Sequence, residues 1–469
     1  MIKSLQYRWL IAIIAIIGFS IMSCDGNAEN TEKKTYWTIT WHLDGGTKAN
    51  NSLYPDKVED GKTIDRPNPN PTKEGYSYVG WFTDSELTDS FKFGTAGTPV
   101  KADLNLYVKW NSLSMYLLFV SDPHYYMKDS PFQPPYNILE HTNGYTHDSI
   151  FDSWMEQLKT RHRIPHIDYF AALGDYGSTD TGRDSSGNQT SSSEAQNLPN
   201  FWNNSTGIFI DIVDKYVDNG FIRNAPLFLP GNHEWGTANN GNGSLSSHLT
   251  AASPYYKYTS RITTTVTEYL KTDDFTFITN GAVGSNQEFT TARMNELDAL
   301  FAAAPTDRPV FVLSHHPVHF GPPSPMYPPT LPDYPNGHQF YPTGRATTNG
   351  AQMLAVYNKY PNLVVLWDHN HSLVDPHYDQ TYRPGDSIQT SSAESSATAL
   401  NFTYLSPGAM VDYGYRPNGA DIISKGMVVK ILNDKYTFMF FGWNKETNES
   451  SILSDRTVTF TKAELIGSQ

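Results

Sequence analysis

The sequence holds a single cysteine, Cys24, in 469 residues. An intrachain disulfide is therefore impossible, and a soft, cysteine-based metal site is excluded. Basic residues are also sparse: 34 Lys and Arg stand against 48 Asp and Glu, a formal net charge of −14. Nucleic-acid binding needs clustered cations to displace counterions, so no nucleic-acid-binding surface is evident. The same balance fits any acidic soluble surface and excludes more than it identifies. What the chain does have is 38 % apolar residues, 13 % of the total aromatic, and length enough for two or three domains with packed cores.

The N-terminus has its own pattern. Lys3 and Arg8 precede an apolar run from Trp9 to Met22. That run is short for a membrane span of about 20 residues but suits the apolar region of a signal peptide. It ends in Ile21-Met22-Ser23-Cys24, which resembles the lipobox of bacterial lipoproteins. The resemblance implies removal of residues 1–23, two acyl chains on Cys24, and an exported protein anchored to the bacterial cell envelope. Two chains hold a protein at a membrane where one does not. Asp25 favours inner-membrane retention under enterobacterial sorting rules, which need not apply here, so the leaflet stays open. Residues 24–35, polar and without periodicity, read as a flexible tether.

From residue 36 to 110 the character is that of short strands. "TYWTITWHLDGG" alternates aromatic or β-branched residues with polar ones and stops at Asp44-Gly45-Gly46, a strand followed by a turn. "VEDGKTI", "PTKEGYSYVGWFTD" and "LNLYVKW" complete a stretch that resembles the InlB-type B-repeat, or Listeria–Bacteroides repeat. The resemblance implies a small β-grasp-like surface module, a spacer or a site for a cell-surface partner. One copy is present, so no solenoid is implied.

Beyond residue 112 apolar strands alternate with amphipathic helices, the pattern of an α/β domain. Strands are expected at "SMYLLFVSD", "IDYFAALGD", "PLFLPGNHE", "PVFVLSHH" and "NLVVLWDHNH". Helices are expected at "HDSIFDSWMEQLKTR", "FTTARMNELDALFAAA" and "GAQMLAVYNKY", and a hairpin around Asn433-Asp434. The domain is expected to span 113–445, leaving 446–469 as a tail. Long polar or Pro-rich insertions lie at 177–199 and 317–345.

Polar residues terminate these apolar strands. Asp122 and His124 follow the first, Asp175 the second, Asn232 and His233 the third, His315 the fourth, and His369 and His371 the fifth. In open α/β sheets ligands gather beyond the carboxyl ends of strands. Imidazoles and carboxylates together suit divalent Mn, Fe, Co, Ni or Zn. A carboxylate with two oxygens can also bridge two ions.

The order Asp122-Pro-His124, Gly174-Asp175, Gly231-Asn232-His233-Glu234, His315-His316-Pro317 and Asp368-His369-Asn370-His371 resembles the five motifs of the calcineurin-like metallophosphoesterases. The resemblance covers residues 114 to 445 and implies a four-layer αββα sandwich with two divalent metal ions. One ion would take Asp122, His124, Asp175 and His371; the other would take Asp175, Asn232, His315 and His369. A hydroxide bridging the ions would attack a phosphomonoester or phosphodiester. His233 would act at the leaving oxygen, with Glu234 orienting its imidazole. His315 is preferred over His316 because it keeps the His-x-Pro spacing with Pro317. Asp368 stands where the family usually has Gly; its carboxylate is expected near His369, in a left-handed turn that Asp tolerates.

Ser178 stands where purple acid phosphatases carry a Tyr ligand, which disfavours that branch. Tyr125, Tyr126, Tyr176 and Trp235 could stack on a substrate base or sugar, or pack the loops. His319, His338 and His377 read as loop histidines. The alternative to an enzyme is a non-catalytic surface binding or adhesion protein that keeps the fold as a scaffold.

Overall fold

The computed structural model describes residues 34–123, 147–176, 206–235, 245–281, 289–318, 349–368, 381–388, 397–410, 422–444, 447, 449–454 and 456–467. The chain divides near residue 111 into two units, each with its own core.

The first unit is a four-stranded sheet of β1 (Tyr36–His42), β2 (Lys57–Glu59), β3 (Tyr76–Phe82) and β4 (Leu104–Ser112) in the order β2-β1-β4-β3. β1 and β4 run parallel, whereas β2 is antiparallel to β1. Period-two alternation turns Trp37, Ile39 and Trp41 of β1 onto one face, where they join Trp81, Leu106 and Val108. The Trp41 and Trp81 rings meet edge to face with centroids 4.9 Å apart, a favoured aromatic geometry. Residues 34–111 contain no helix, so burial on this single sheet face holds the module together.

The second unit alternates strands and helices. Its first half contains β5 (Met115–Val120), α1 (His147–Thr160), β6 (Tyr169–Ala172), α2 (Gly207–Asp218), β7 (Leu227–Phe228) and the short α3 (Asn232–Trp235). Two single turns, α4 (Leu245–His248) and α5 (Tyr256–Thr259), lead to β8 (Thr267–Lys271), β9 (Thr276–Asn280) and α6 (Thr291–Ala303). β10 (Val310–Ser314), α7 (Gly350–Tyr357), β11 (Leu363–Leu366) and β12 (Thr381–Tyr382) follow. After them come a two-stranded ribbon of β13 (Ser387–Ile388) and β14 (Thr398–Ala399), and then β15 (Thr403–Leu405). The chain finishes through β16 (Ile422–Leu432), β17 (Lys435–Asn444), β18 (Glu449–Ile452), β19 (Val458–Thr461) and α8 (Lys462–Leu465).

Two sheets result. One has the order β18-β17-β16-β5-β6-β7 with β19 also on β17; the other has the order β12-β15-β11-β10-β9-β8. β5, β6 and β7 are parallel, as are β9, β10, β11 and β15. These parallel strands are buried on both faces and mostly apolar, as strands covered on both sides are. Leu117 and Phe119 of β5 point into the space between the sheets, where they join Phe277, Phe311 and Leu313. Leu118 and Val120 point the other way, against Phe151 and Trp154 of α1 and Phe209 of α2. On the far sheet, Val310 and Val312 face Met294, Leu297 and Phe301 of α6 and Met353 and Leu354 of α7. Helix, sheet, sheet and helix thus stack as four layers. Each such fully buried aliphatic or Phe side chain contributes about 1.5–3 kcal/mol.

Strands and helices occupy every segment that the pattern marks, and the hairpin turns at Asn433 (φ 51°) and Asp434 (φ 58°), the paired positive φ of a type I′ turn. Several elements lie outside the expectation, among them α2, β8, β9 and β15. The stretch after 445 is not a tail. β18 and β19 both pair with β17, Phe460 and Leu465 enter the core between the sheets, and Thr461 with Glu464 forms a capping box on α8.

Candidate metal centre

The parallel strands of both sheets end at one edge, and the polar residues gather there. Asp122 follows β5, Asp175 follows β6, Asn232 opens α3 after β7, His315 follows β10 and Asp368 follows β11. Ligand atoms of Asp122, Asp175 and His315 all lie within 4.8 Å of one another, and each residue is buried. The His315 Nε2 is 3.2 Å from Asp175 Oδ2 and 3.1 Å from Asn232 Oδ1. His233 is nearby, its Nε2 3.8 Å from the same Asp175 oxygen and its backbone N–H donating to Asp175 Oδ1 at 2.9 Å.

The backbone explains why these residues can meet. Asp122 (φ 48°) and Asp175 (φ 55°) are left-handed, a conformation Asp adopts more readily than most residues. Each strand therefore ends in a sharp reversal that aims a short carboxylate back across the edge. Gly174 and Gly231 let the two loops touch: a methyl on Gly174 would fall 2.4 Å from Gly231 N, and one on Gly231 would fall 2.1 Å from Asp175 Oδ1.

Residues 115–365, more than half of the chain, match the model of the calcineurin-like phosphoesterase family. The chain belongs to the calcineurin-like phosphoesterases. Residues 37–109 match the Listeria–Bacteroides repeat domain. Two proteins of Evansella cellulosilytica, named "Putative membrane protein" and "Putative Gly-rich membrane protein", are each 35 % identical to this chain over 74 residues, 16 % of its length. The match spans only 10 % and 8 % of their own lengths. Among solved structures, a single mutant of Vps29 from Entamoeba histolytica aligns over 74 % of this chain and all of its own, with 12 % identity and a TM-score of 0.26.

Members of this family bind divalent metals, and the donor set here suits one. The His315 Nδ1 lies 3.0 Å from the Leu173 carbonyl, a bond only an Nδ1–H can make. That bond turns Nε2 toward the oxygens of Asp175 and Asn232, as it does in metal-ligating histidines. Burial alone would drive the ring neutral, yet Asp175 and Asp122 raise its pKa far above the ordinary histidine value. Two buried carboxylates beside one imidazole carry surplus negative charge. The cluster draws in a proton, and a divalent cation satisfies the same oxygens better.

Glu234 has a different task from the one expected of it. Its carboxylate does not hold the His233 ring; it accepts from Gly231 N at 2.7 Å, Asp175 N at 2.9 Å and Tyr176 N at 2.9 Å. Glu234 thus clips the loops after β6 and β7 together. Burial, and then the Asp175 charge, push its carboxyl up, while the amides of Gly231 and Tyr176 pull it down; the net shift is upward.

Asp368 also departs from expectation. It is buried and its N–H donates to the His315 carbonyl at 3.1 Å, but it is not among the left-handed residues. Left-handed geometry falls on Asp122 and Asp175 instead. His316 is buried beside His315 with ring centroids 4.9 Å apart, outside the three-residue ligand group. Tyr176 packs: its ring stacks on Phe209 and its hydroxyl donates to the carbonyls of Ala172 and Leu229. Trp235 lies against the same core. His124, His369, His371, Ser178, Tyr125, Tyr126, His319, His338, His377 and Cys24 lie outside the described residues.

Proposed function

We propose that this protein is an exported, lipid-anchored phosphoric ester hydrolase that uses two divalent metal ions on phosphomonoesters or phosphodiesters. The observation that carries the reading is the buried Asp122–Asp175–His315 group at the strand edge of a calcineurin-like phosphoesterase domain. In this reading Asp122, His124, Asp175 and His371 hold one ion, and Asp175, Asn232, His315 and His369 hold the other. Such ions supply Lewis-acid charge at phosphoryl oxygens and acidify water.

The chain's own residues do the rest. Asp175 is fixed by Glu234 through its N–H, and it fixes His233 by accepting from that residue's N–H. The His233 side chain is 19 % exposed, so its ring is reachable by a substrate while its backbone is held. As the phosphorus–oxygen bond breaks, a protonated His233 gives its proton to the departing alkoxide oxygen. Closure of the loops by Glu234 keeps this geometry in place before substrate arrives.

Cys24 is the anchoring residue in this proposal, and the names of the two Evansella relatives support an envelope setting. None of the described helices is long and apolar enough to cross a membrane. The Listeria–Bacteroides repeat then serves as a spacer or as the site for a cell-surface partner.

The test is hydrolysis of p-nitrophenyl and bis-p-nitrophenyl phosphate by the detergent-solubilised full chain supplied with Mn or Zn, with bound metal measured by elemental analysis. Turnover with two metals per chain is expected. Bound metal without turnover on a broad phosphoester panel sinks the enzyme; absence of metal after reconstitution favours a binding scaffold. Cys24→Ser is expected to move the chain from the detergent phase to the aqueous phase.

A further inference from the structure

Arg293 stands in the first turn of α6, where its N–H donates to the capping Thr290 side chain. Its side chain turns inward and the residue is only 9 % exposed. The guanidinium meets neutral oxygens: Nε donates to Asn280 Oδ1 at 2.7 Å, and Nη2 donates to the Gly281 carbonyl. Burying a cation among neutral acceptors opposes its charge, and burial indeed lowers the guanidinium to about 10. A residue kept in that setting calls for a reason in what it holds.

What it holds is the end of β9, and that end lies between two ligand loops. The Asn280 amide donates to Ser314 Oγ at 3.4 Å and to the Tyr357 hydroxyl at 3.2 Å. Ser314 Oγ donates in turn to the His316 carbonyl at 3.0 Å, so the bonds run to both sides of His315. On the other flank, a methyl on Gly281 would fall 2.6 Å from Pro230 Cδ. Pro230 leads directly into Gly231-Asn232. His315 belongs to one sheet and Asn232 to the loop that leaves the other.

We propose that Arg293 is a positioning residue for the metal centre, holding Asn280 and Gly281 so that the Asn232 and His315 loops meet at ligand distance. The proposal rests on the metal-dependent reading of the site. Ligand-orienting partners are worth about 10–100-fold in metal affinity, and Arg293 acts here through Asn280 and Gly281.

The test titrates Mn into the metal-free full chain against a fluorescent chelator, for wild type, Arg293→Met and Arg293→Lys, with thermal melting of each metal-free protein alongside. Arg293→Met is expected to weaken Mn binding about tenfold, and Arg293→Lys, which keeps a donor for the Gly281 carbonyl, to recover part of the loss. A lower melting temperature with unchanged Mn affinity in Arg293→Met overturns the proposal, since the arginine would then serve stability alone. Should Arg293→Met not fold, Gly281→Ala decides. Its methyl presses on Pro230 with Arg293 intact, weakened Mn binding supports the proposal, and unchanged binding overturns it. Mn binding is read without substrate. A wild type that binds Mn but hydrolyses nothing removes the phosphoesterase reading and leaves this one to its own result.

Discussion

Two aspartate–histidine pairs flank β6, a half-buried one before it and a buried one after it, and the pairs do different work. At its amino end, His166 Nε2 lies 3.1 Å from Asp168 Oδ2; at its carboxyl end, His315 Nε2 lies 3.2 Å from Asp175 Oδ2. Distance does not separate them. Surroundings do. Asp168 also accepts from Tyr116 N at 2.8 Å and has Arg223 Nη1 at 3.5 Å, so its charge is met by donors on every side. Asp175 instead faces a second carboxylate, Asp122. An acid that is balanced by donors fastens strands; a buried one that faces another acid suits a cation.

Asp175→Asn is the strongest way to break this contrast. It removes the charge both proposed ions would share, and metal binding and phosphoester turnover should both be lost, with kcat down by about 100-fold or more. Full activity in that variant would refute the bridging assignment. Glu234→Gln comes next. An amide offers one acceptor oxygen where three backbone N–H groups need two, so about 2–3 kcal/mol of stability should go. Metal affinity should fall with it, as chemical denaturation and Mn titration would record.

Asp168→Asn sharpens the comparison from the other end. It should cost about 1–3 kcal/mol while Mn affinity stays at the wild-type value; a large loss of metal would erase the distinction drawn here. The same group has a pH signature. Burial opposes the charged form of Asp168, yet the His166 and Tyr116 hydrogen bonds and the Arg223 charge outweigh it and hold the carboxyl below the usual range. The folded chain therefore takes up this proton less readily than the unfolded chain. The stabilisation is complete above the ordinary Asp value of about 4 and is lost as pH falls through the folded value. Wild type minus Asp168→Asn stability, measured from pH 6 downward, should shrink accordingly. Asp368→Gly should have the smallest effect, retaining metal with altered affinity or pH dependence; collapse of metal binding would make Asp368 a ligand.

Much of this was legible because polar residues that close apolar strands interrupt a strong pattern. Asp122, Asp175 and His315 stand out in the sequence for that reason, and the fold does bring them together. Glu234 was misread because nothing in "GNHE" reveals that its oxygens reach amides 58 and 59 residues away. Arg293 was invisible for a related reason: a polar residue in the first helical turn reads as solvated, and only the packing of α6 turns it inward. The left-handed sites were misplaced because a glycine preference in the last motif drew attention to Asp368, whereas reversal of the chain after β5 and β6 places the demand on Asp122 and Asp175. The missed α2 did have a signal, since Phe209, Ile210, Val213 and Tyr216 recur at helical spacing and all four are buried. β8 and β9 turn within a few residues at Thr272–Phe275 without a glycine to mark the hairpin.

The arrangement of β5 has a consequence for how the molecule is made. Its neighbours are β6 on one side and β16 on the other, with Phe119 opposite Met427. The partner on the second side is synthesised roughly 300 residues later, a separation that slows folding because the loop must close before the contact rewards it. The segment that carries the family likeness, 115–365, stops before β16 and β17. Asp122 thus sits at the tip of a strand that is flanked on both sides only after nearly all of the polypeptide is present.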